Sequence, residues 1–400
     1  MKTLITFLGR SPKGENGYRK TRYQFDDGAS DEVAFFGWSL ARRIEPDRLI
    51  ILGTDGSMWD HLFEGDLPLG DAEESRRLEL VSAVENKAVT EGQLNALAPL
   101  LGKALGCEVY LDLIPYCHTE EEQTGLLQIM AEHVATGSGV HIDVTHGFRH
   151  QPMLALLSAL HLRLLRDAEI DGIWYGEFDP DSGKARVHEL SGLLRIADWL
   201  VAFSAFEKDG DYGVFRDLLP QEMSHDLVDA AFFERVNRIG QARSRAQSLL
   251  NKLEQHRQPD PAAELFYPEL KQRLGWSSEG RFYERQRALA FQYLERGQYL
   301  EATMTGYEAF ISGLVQKEGG QPDKTSDREA ARDRYDSEQK SKKPRTPQYK
   351  SWDSLRRLRN SIAHGAQPRG EEVQRALSSA SEMCKLLEDL FITLFPEEAQ

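Results

Sequence analysis

The 400-residue chain is poor in cysteine: it has three, Cys107, Cys117 and Cys384, an odd number and not at metal-ligand spacing. That excludes a disulfide framework and a zinc site built on cysteine pairs. Long apolar runs are also lacking. No stretch approaches the roughly 20 residues that a membrane span needs, and the opening MKTLITFLGR turns polar too early for a secretory signal. The expectation is a cytoplasmic protein with no membrane attachment. Positive charge is the third shortage, with 49 Lys plus Arg against 64 Asp plus Glu and a net charge of −15. A protein that coats nucleic acid does so by neutralising many phosphates, so any nucleic-acid contact here must be local. KSKKPR (340–345) and LRRLRN (355–360) are the two basic clusters available for it.

What the chain does have is 40% hydrophobic residues, enough for sizeable cores in a sequence too long for one ordinary core. From residue 1 to about 190, short β-rich runs alternate with amphipathic segments. The expected strands are TLITFLG (3–9), RLIILGT (48–54), CEVYLDLIP (107–115), GVHIDVTHG (139–147) and GIWYGEF (172–178), with RKTRYQF (19–25) as an antiparallel addition. The segments 31–44, about 73–104, 121–134 and 151–167 carry apolar residues at helical spacing. Such alternation marks a parallel sheet wrapped by helices. Beyond 190 the strand signals fade: 191–280 reads as a helical connecting region and 281–400 as a further helical domain, interrupted by a charged, exposed insertion at 318–351.

HIDVTHGFRHQPM (141–153) is the densest chemical stretch. On a strand, His141, Asp143 and Thr145 share one face while Ile142 and Val144 take the other. A metal would need ligands to converge from two faces, a turn and a helix start, and no standard spacing is met; no metal is expected. A phosphate cradle fits better, because Gly147 permits a tight turn, the following helix presents unpaired N–H groups, and Arg149 adds a bidentate donor. Two other strand ends carry similar equipment, Gly9–Arg10–Ser11 and Thr54–Asp55–Gly56–Ser57, and all three are consistent with one pocket at the carboxyl ends of the strands. Asp143, within the strand, is expected to orient the turn by accepting backbone N–H bonds. In the helical half, RLRNSIAHGAQP (357–368) places Asn360 and His364 four apart on one helical face, with Arg359 beside Asn360 and Gly365 as a stop. The helix dipole favours a charged imidazole at that end, and a guanidinium suits a phosphate.

DVTHGFR, with MKTLITFLGR at the start and IWYGEF in a later strand, resembles the D-x-T-H-G pattern of the CRISPR-associated Rossmann-fold (CARF) proteins, the ancillary effectors of type III antiviral systems. The resemblance covers residues 1–180. It implies a homodimer or higher symmetric oligomer, whose paired CARF domains bind a cyclic oligoadenylate, with cyclic tetra-adenylate the expected ring. Gly9, Arg10, Ser11, Thr54, Asp55, Gly56, Ser57, Asp143, Thr145, His146, Gly147, Phe148 and Arg149 are the candidate contacts. The pattern R-N-x-x-x-H at 359–364, late in a helical domain, resembles the HEPN ribonucleases over residues 280–395. That resemblance implies Arg359, Asn360 and His364 as the catalytic set for metal-independent cleavage of single-stranded RNA to 2′,3′-cyclic phosphates, with no cofactor. Arg356, Arg357 and Arg359, with Lys340, Lys342, Lys343 and Arg345, are expected to form a basic rim, with Tyr349 and Trp352 as stacking candidates. A non-catalytic sensor, or a CARF domain that degrades its own ring, stays open on the sequence.

Overall fold

A computed structural model describes residues 1–14, 17–147, 150–255, 261–365 and 367–396. The chain divides into two compact units, Met1–Arg195 and Ile196–Gln400.

The first unit contains strands β1 (Lys2–Leu8), β2 (Lys13–Gly14), β3 (Gly17–Tyr18), β4 (Thr21–Gln24), β5 (Ser30–Val33), β6 (Arg48–Gly53), β7 (Glu108–Leu113), β8 (Gly139–Asp143), β9 (Glu169–Asp179) and β10 (Lys184–Glu189). Its helices are α1 (Phe36–Ile44), α2 (His61–Glu64), α3 (Glu74–Glu85), α4 (Glu91–Leu105), α5 (Glu120–Glu132) and α6 (Gln151–Arg166). Eight strands form one sheet in the order β5-β4-β10-β9-β8-β1-β6-β7, and β2 and β3 form a separate ribbon. The central five, β9-β8-β1-β6-β7, run parallel.

Side chains alternate across the sheet. Leu4 and Leu8 of β1 join Leu49 and Ile51 of β6 in the core under α1, α3 and α4, whereas Ile5, Phe7, Ile50 and Leu52 join the core under α5 and α6. Apolar residues on both faces explain the near-continuous apolar runs of these strands. From β1 the chain steps outward through β6 and β7, then returns to place β8 and β9 on the other flank. The strand order therefore reverses at β1/β8, where a doubly wound sheet opens a crevice outside the strand carboxyl ends.

Several expectations change. β8 ends at Asp143, so Thr145 lies in the turn rather than on the strand face with His141. β4 is antiparallel to β5 but parallel to β10, whose short, charged KARVHE carries only a weak strand signal. Segment 31–44 begins as the end of β5, and 73–104 is two helices.

The second unit is helical: α7 (Gly192–Asp209, which begins in the first unit), α8 (Gln221–Arg235), α9 (Ile239–Gln255), α10 (Pro261–Arg273), α11 (Phe282–Glu295), α12 (Tyr299–Lys317), α13 (Thr325–Ser341), α14 (Pro347–His364), α15 (Glu371–Ala376) and α16 (Ala380–Leu394). One apolar core runs from Trp199 to Leu394, so 196–280 packs together with 281–394 rather than standing apart as a connector. The charged segment 318–351 is likewise part of this body. Its α13 buries Ala331, and Asp336 accepts from Trp352 Nε1 at 3.0 Å. Few large aliphatics are needed there because Tyr335 packs edge-on against Phe310, 5.4 Å between centroids. No helix among the described residues is long and apolar enough to cross a membrane.

Candidate functional site

At the β1/β8 reversal lies a cavity of about 300 Å³. Four strand ends supply its wall: Gly9 and Arg10 after β1, Thr54, Gly56 and Ser57 after β6, Tyr116 after β7, and Gly147 after β8. Two glycines allow this closure. A Cβ at Gly9 would stand 2.9 Å from the Gly147 backbone nitrogen, and Gly147 itself has φ +111°, a region that favours glycine. The β6 turn is held by Ser57 Oγ, which accepts from Thr54 N–H at 3.0 Å, and by Met58 N–H donating to the Gly9 carbonyl at 3.0 Å. Arg10 and Lys87 face the cavity, and neither is paired with a carboxylate among the described residues. In a chain of net charge −15, two uncompensated cations at a strand-end crevice suit an anion.

The remaining candidates lie elsewhere. Ser11 does not line the cavity; Asp55 accepts from Tyr116 OH at 2.7 Å and so fixes that ring. Thr145 Oγ accepts from Gly176 N–H at 2.8 Å. Phe148 and Arg149 lie outside the described residues. His146 turns away from the cavity. Its Nε2 accepts from Phe36 N–H at 3.1 Å, pinning the start of α1, and burial lowers its pKa to about 4. A neutral acceptor is not the charged phosphate contact that the sequence suggested.

Asp143 is fully buried. It accepts from Thr6 OH at 2.6 Å and from Thr145 N–H at 2.8 Å, while burial raises its pKa to about 6. These two groups titrate over one pH range with opposite signs. As pH falls from 6.5 to 4, the unfolded chain takes up a proton at position 146 that the folded chain refuses, which costs stability. Over 6 to 3.8 the folded chain takes up a proton at Asp143 before the unfolded chain does, which adds stability. Each effect is worth about 3 kcal/mol, so they offset. Asp143→Asn is therefore expected to lose about 2 kcal/mol more than wild type between pH 7.5 and 4.5, and His146→Gln to gain relative to wild type over the same range. Denaturant unfolding at pH 4.5 and 7.5 checks this, and parallel pH profiles for all three proteins would refute it.

In the helical unit, α14 ends at His364 because Gly365 turns left-handed at φ 58°, its N–H returning to the Ile362 and Ser361 carbonyls. His364 and Asn360 are exposed. Arg359 Nη1 donates to Asn360 Oδ1 at 3.1 Å, its guanidinium lies 5.2 Å from the Tyr307 ring centroid, and its Nε is buried with no partner among the described residues. The pattern thus comes together as a short exposed cluster at a helix C-terminus. The expected rim is smaller than the sequence suggested. Arg356 is bonded to Asp336 and Asp353, and Arg357 to Asp353. Tyr349 and Trp352 are core residues, Trp352 stacked at 4.9 Å on both Tyr307 and Phe310. Lys340, Lys342, Lys343 and Arg345 remain exposed.

Residues 3–179 match the family model for the CARF domain of the CRISPR system endoribonuclease Csx1. The CRISPR-associated protein MJ1674 of Methanocaldococcus jannaschii is 24% identical over 300 residues, a match covering 68% of this chain and 47% of that protein. The N-terminal unit is a CARF domain, similar to those of CRISPR-associated proteins. It spans about half the length of the curated relative it matches, and the matched share exceeds its CARF unit, so the similarity reaches into the helices. Among solved structures, Enterococcus italicus Csm6 bound to cyclic hexa-2′-fluoro-hexa-dAMP is similar, with a TM-score of 0.39 and 13% identity, covering 100% of this chain and 95% of that one.

Within the CARF domain, sequence reading missed Lys87, Tyr116 and Gln151. Lys87 sits in the α3–α4 turn with φ 50°, far in sequence from any glycine-bearing strand end, and only the fold delivers it. Tyr116 carried a usable signal, since it directly follows a strand in the parallel set. Gln151 opens α6 and is buried against the cavity.

Proposed function

We propose that this protein is a cyclic-oligoadenylate-activated endoribonuclease of type III CRISPR defence, with cyclic tetra-adenylate as activator. The observation that carries the reading is the pair of cations, Arg10 and Lys87, unpaired among the described residues and facing a strand-end cavity that also offers the Tyr116 ring. Cations suit the ring's phosphates, and an aromatic face suits an adenine.

A second copy completes the pocket in this reading. α6, which leaves the Gly147 turn, exposes Met153 (71%), Leu157, Leu164 (76%) and Leu165. An apolar stripe of this kind marks an interaction surface, and a two-fold partner would bring two cavities beside each other to hold one symmetric ring. Activation then requires the ring to bind one dimer arrangement more tightly than another.

In the helical unit, His364 removes the proton of a ribose 2′-hydroxyl, and that oxygen attacks the adjacent 3′-phosphorus. The P–O5′ bond breaks, giving a 2′,3′-cyclic phosphate and a 5′-hydroxyl that takes up a proton from an imidazolium. Arg359, steered by Asn360, stabilises the charge on the phosphoryl oxygens. The exposed Lys340, Lys342, Lys343 and Arg345 guide the strand.

This chemistry draws its nucleophile from the RNA itself. Cleavage is therefore expected to persist in EDTA and to leave 2′,3′-cyclic phosphate ends, read by end-specific enzymatic labelling of the products. Strict magnesium dependence with 3′-hydroxyl ends would overturn it.

A further inference from the structure

The helical unit holds a second cavity, of about 670 Å³, between the end of α7, α8, α11, α12 and the last turn of α14. Glu234 and Gln298 line it, and Arg296 lies behind Gln298. Glu234 Oε2, Gln298 Oε1 and both terminal nitrogens of Arg296 are buried and have no hydrogen-bond partner among the described residues. Glu234 is 5% exposed; its other oxygen accepts from Tyr293 OH at 2.8 Å. The groups converge: a Cβ at Gly210 would lie 3.1 Å from Gln298 Oε1 and 3.3 Å from Arg296 Nη1. The Arg296 guanidinium is braced over Phe206, 4.4 Å from the ring centroid. Each buried polar atom left unpaired costs about 1–3 kcal/mol, and burial raises the Glu234 carboxyl to about 7. A fold that keeps the unpartnered Glu234 and Gln298 oxygens at a cavity wall has acceptors ready for a ligand.

We propose that this cavity binds a guanine base of the RNA strand, Glu234 accepting from its N1–H and exocyclic amine. Guanine fits because its Watson–Crick edge presents two adjacent donors, matching a carboxylate. Adenine, cytosine and uracil present no such pair of adjacent donors. The position fits as well. Ala363 is on the cavity wall, immediately before His364 and four residues after Arg359, so Ala363 and Arg359 share a helical face. A base seated there puts its own 3′-phosphate within about one nucleotide of that pair. The inference rests on the ribonuclease reading for its substrate, while binding of the base is measurable without cleavage.

The test is calorimetric titration of the full-length protein with guanosine, adenosine, cytidine and uridine 3′-monophosphates, beside mapping of cleavage positions in a mixed-sequence RNA. Guanosine 3′-monophosphate is expected to bind at least tenfold more tightly than the other three, with cuts following guanosine. Glu234→Gln keeps an acceptor for Tyr293 but sets a donor against guanine, so a tenfold loss of affinity at unchanged melting temperature is expected. Ala363→Trp, at an exposed position, is expected to block the mouth and abolish binding, which keeps the test informative if Glu234→Gln unfolds. Equal binding of all four nucleotides, no binding, or guanosine affinity untouched in both variants would overturn the proposal. Selective guanosine binding without any RNA cleavage would overturn the ribonuclease reading and leave the pocket standing; cleavage without selective binding would do the reverse.

Discussion

His364→Ala is expected to abolish activator-dependent RNA cleavage, lowering the rate by about 10²–10⁴-fold, while leaving activator affinity unchanged. The imidazole is exposed at the last residue of α14, beyond the buried stretch of that helix, so its loss removes a proton carrier and no packing. Arg359→Ala is expected to be equally damaging, and Arg359→Lys not to rescue it. A lysine lacks the planar fork that engages a phosphate and Asn360 Oδ1 at once, and it stacks less well on Tyr307. Single-turnover cleavage at saturating activator reads these variants. Activity above a few percent of wild type in His364→Ala would place the chemistry elsewhere.

The second large effect is expected at the CARF cavity. Lys87→Ala and Arg10→Ala each remove a cation that no carboxylate neutralises among the described residues. Each charge-assisted contact is worth about 1.5–3 kcal/mol, so each variant is expected to shift the activation curve roughly 10- to 150-fold to higher activator. In a symmetric dimer each substitution acts twice on one ring, which places the shift at or above the upper end of that range. Maximal activity is expected to recover at high activator, because lost contacts move the curve along the concentration axis whereas a damaged fold lowers it everywhere. His146→Gln serves as the contrast. With Nε2 occupied by Phe36 N–H, this residue is expected to affect stability and leave the activation midpoint within a few fold.

The parallel strands were legible because residues such as 4, 5, 7 and 8 and 49–52 are apolar on both faces, a pattern that few other elements share. Their glycine-bearing ends were legible for the same reason, and Gly9, Arg10, Thr54, Gly56, Ser57 and Gly147 do meet at one cavity. What stayed hidden depends on contacts distant in sequence. The role of His146 is set by a backbone N–H 110 residues away. Lys87 reaches the cavity only because α3 and α4 pack on the sheet's α1 face. The charge of 325–341 suggested an exposed insertion, yet charged side chains occupied one helical face while Ala331 and Asp336 served the other. Local composition reports solvent exposure of a segment on average and cannot report which face a partner covers.

The most direct measurement is cleavage of a labelled single-stranded RNA, in EDTA, across a titration of cyclic tetra-adenylate for wild type, Lys87→Ala and His364→Ala. The account requires a saturable wild-type curve, a Lys87→Ala curve displaced to higher activator with the same plateau, and a flat line for His364→Ala that still binds activator. Cleavage independent of the ring, or a Lys87→Ala curve that superimposes on wild type, would contradict it.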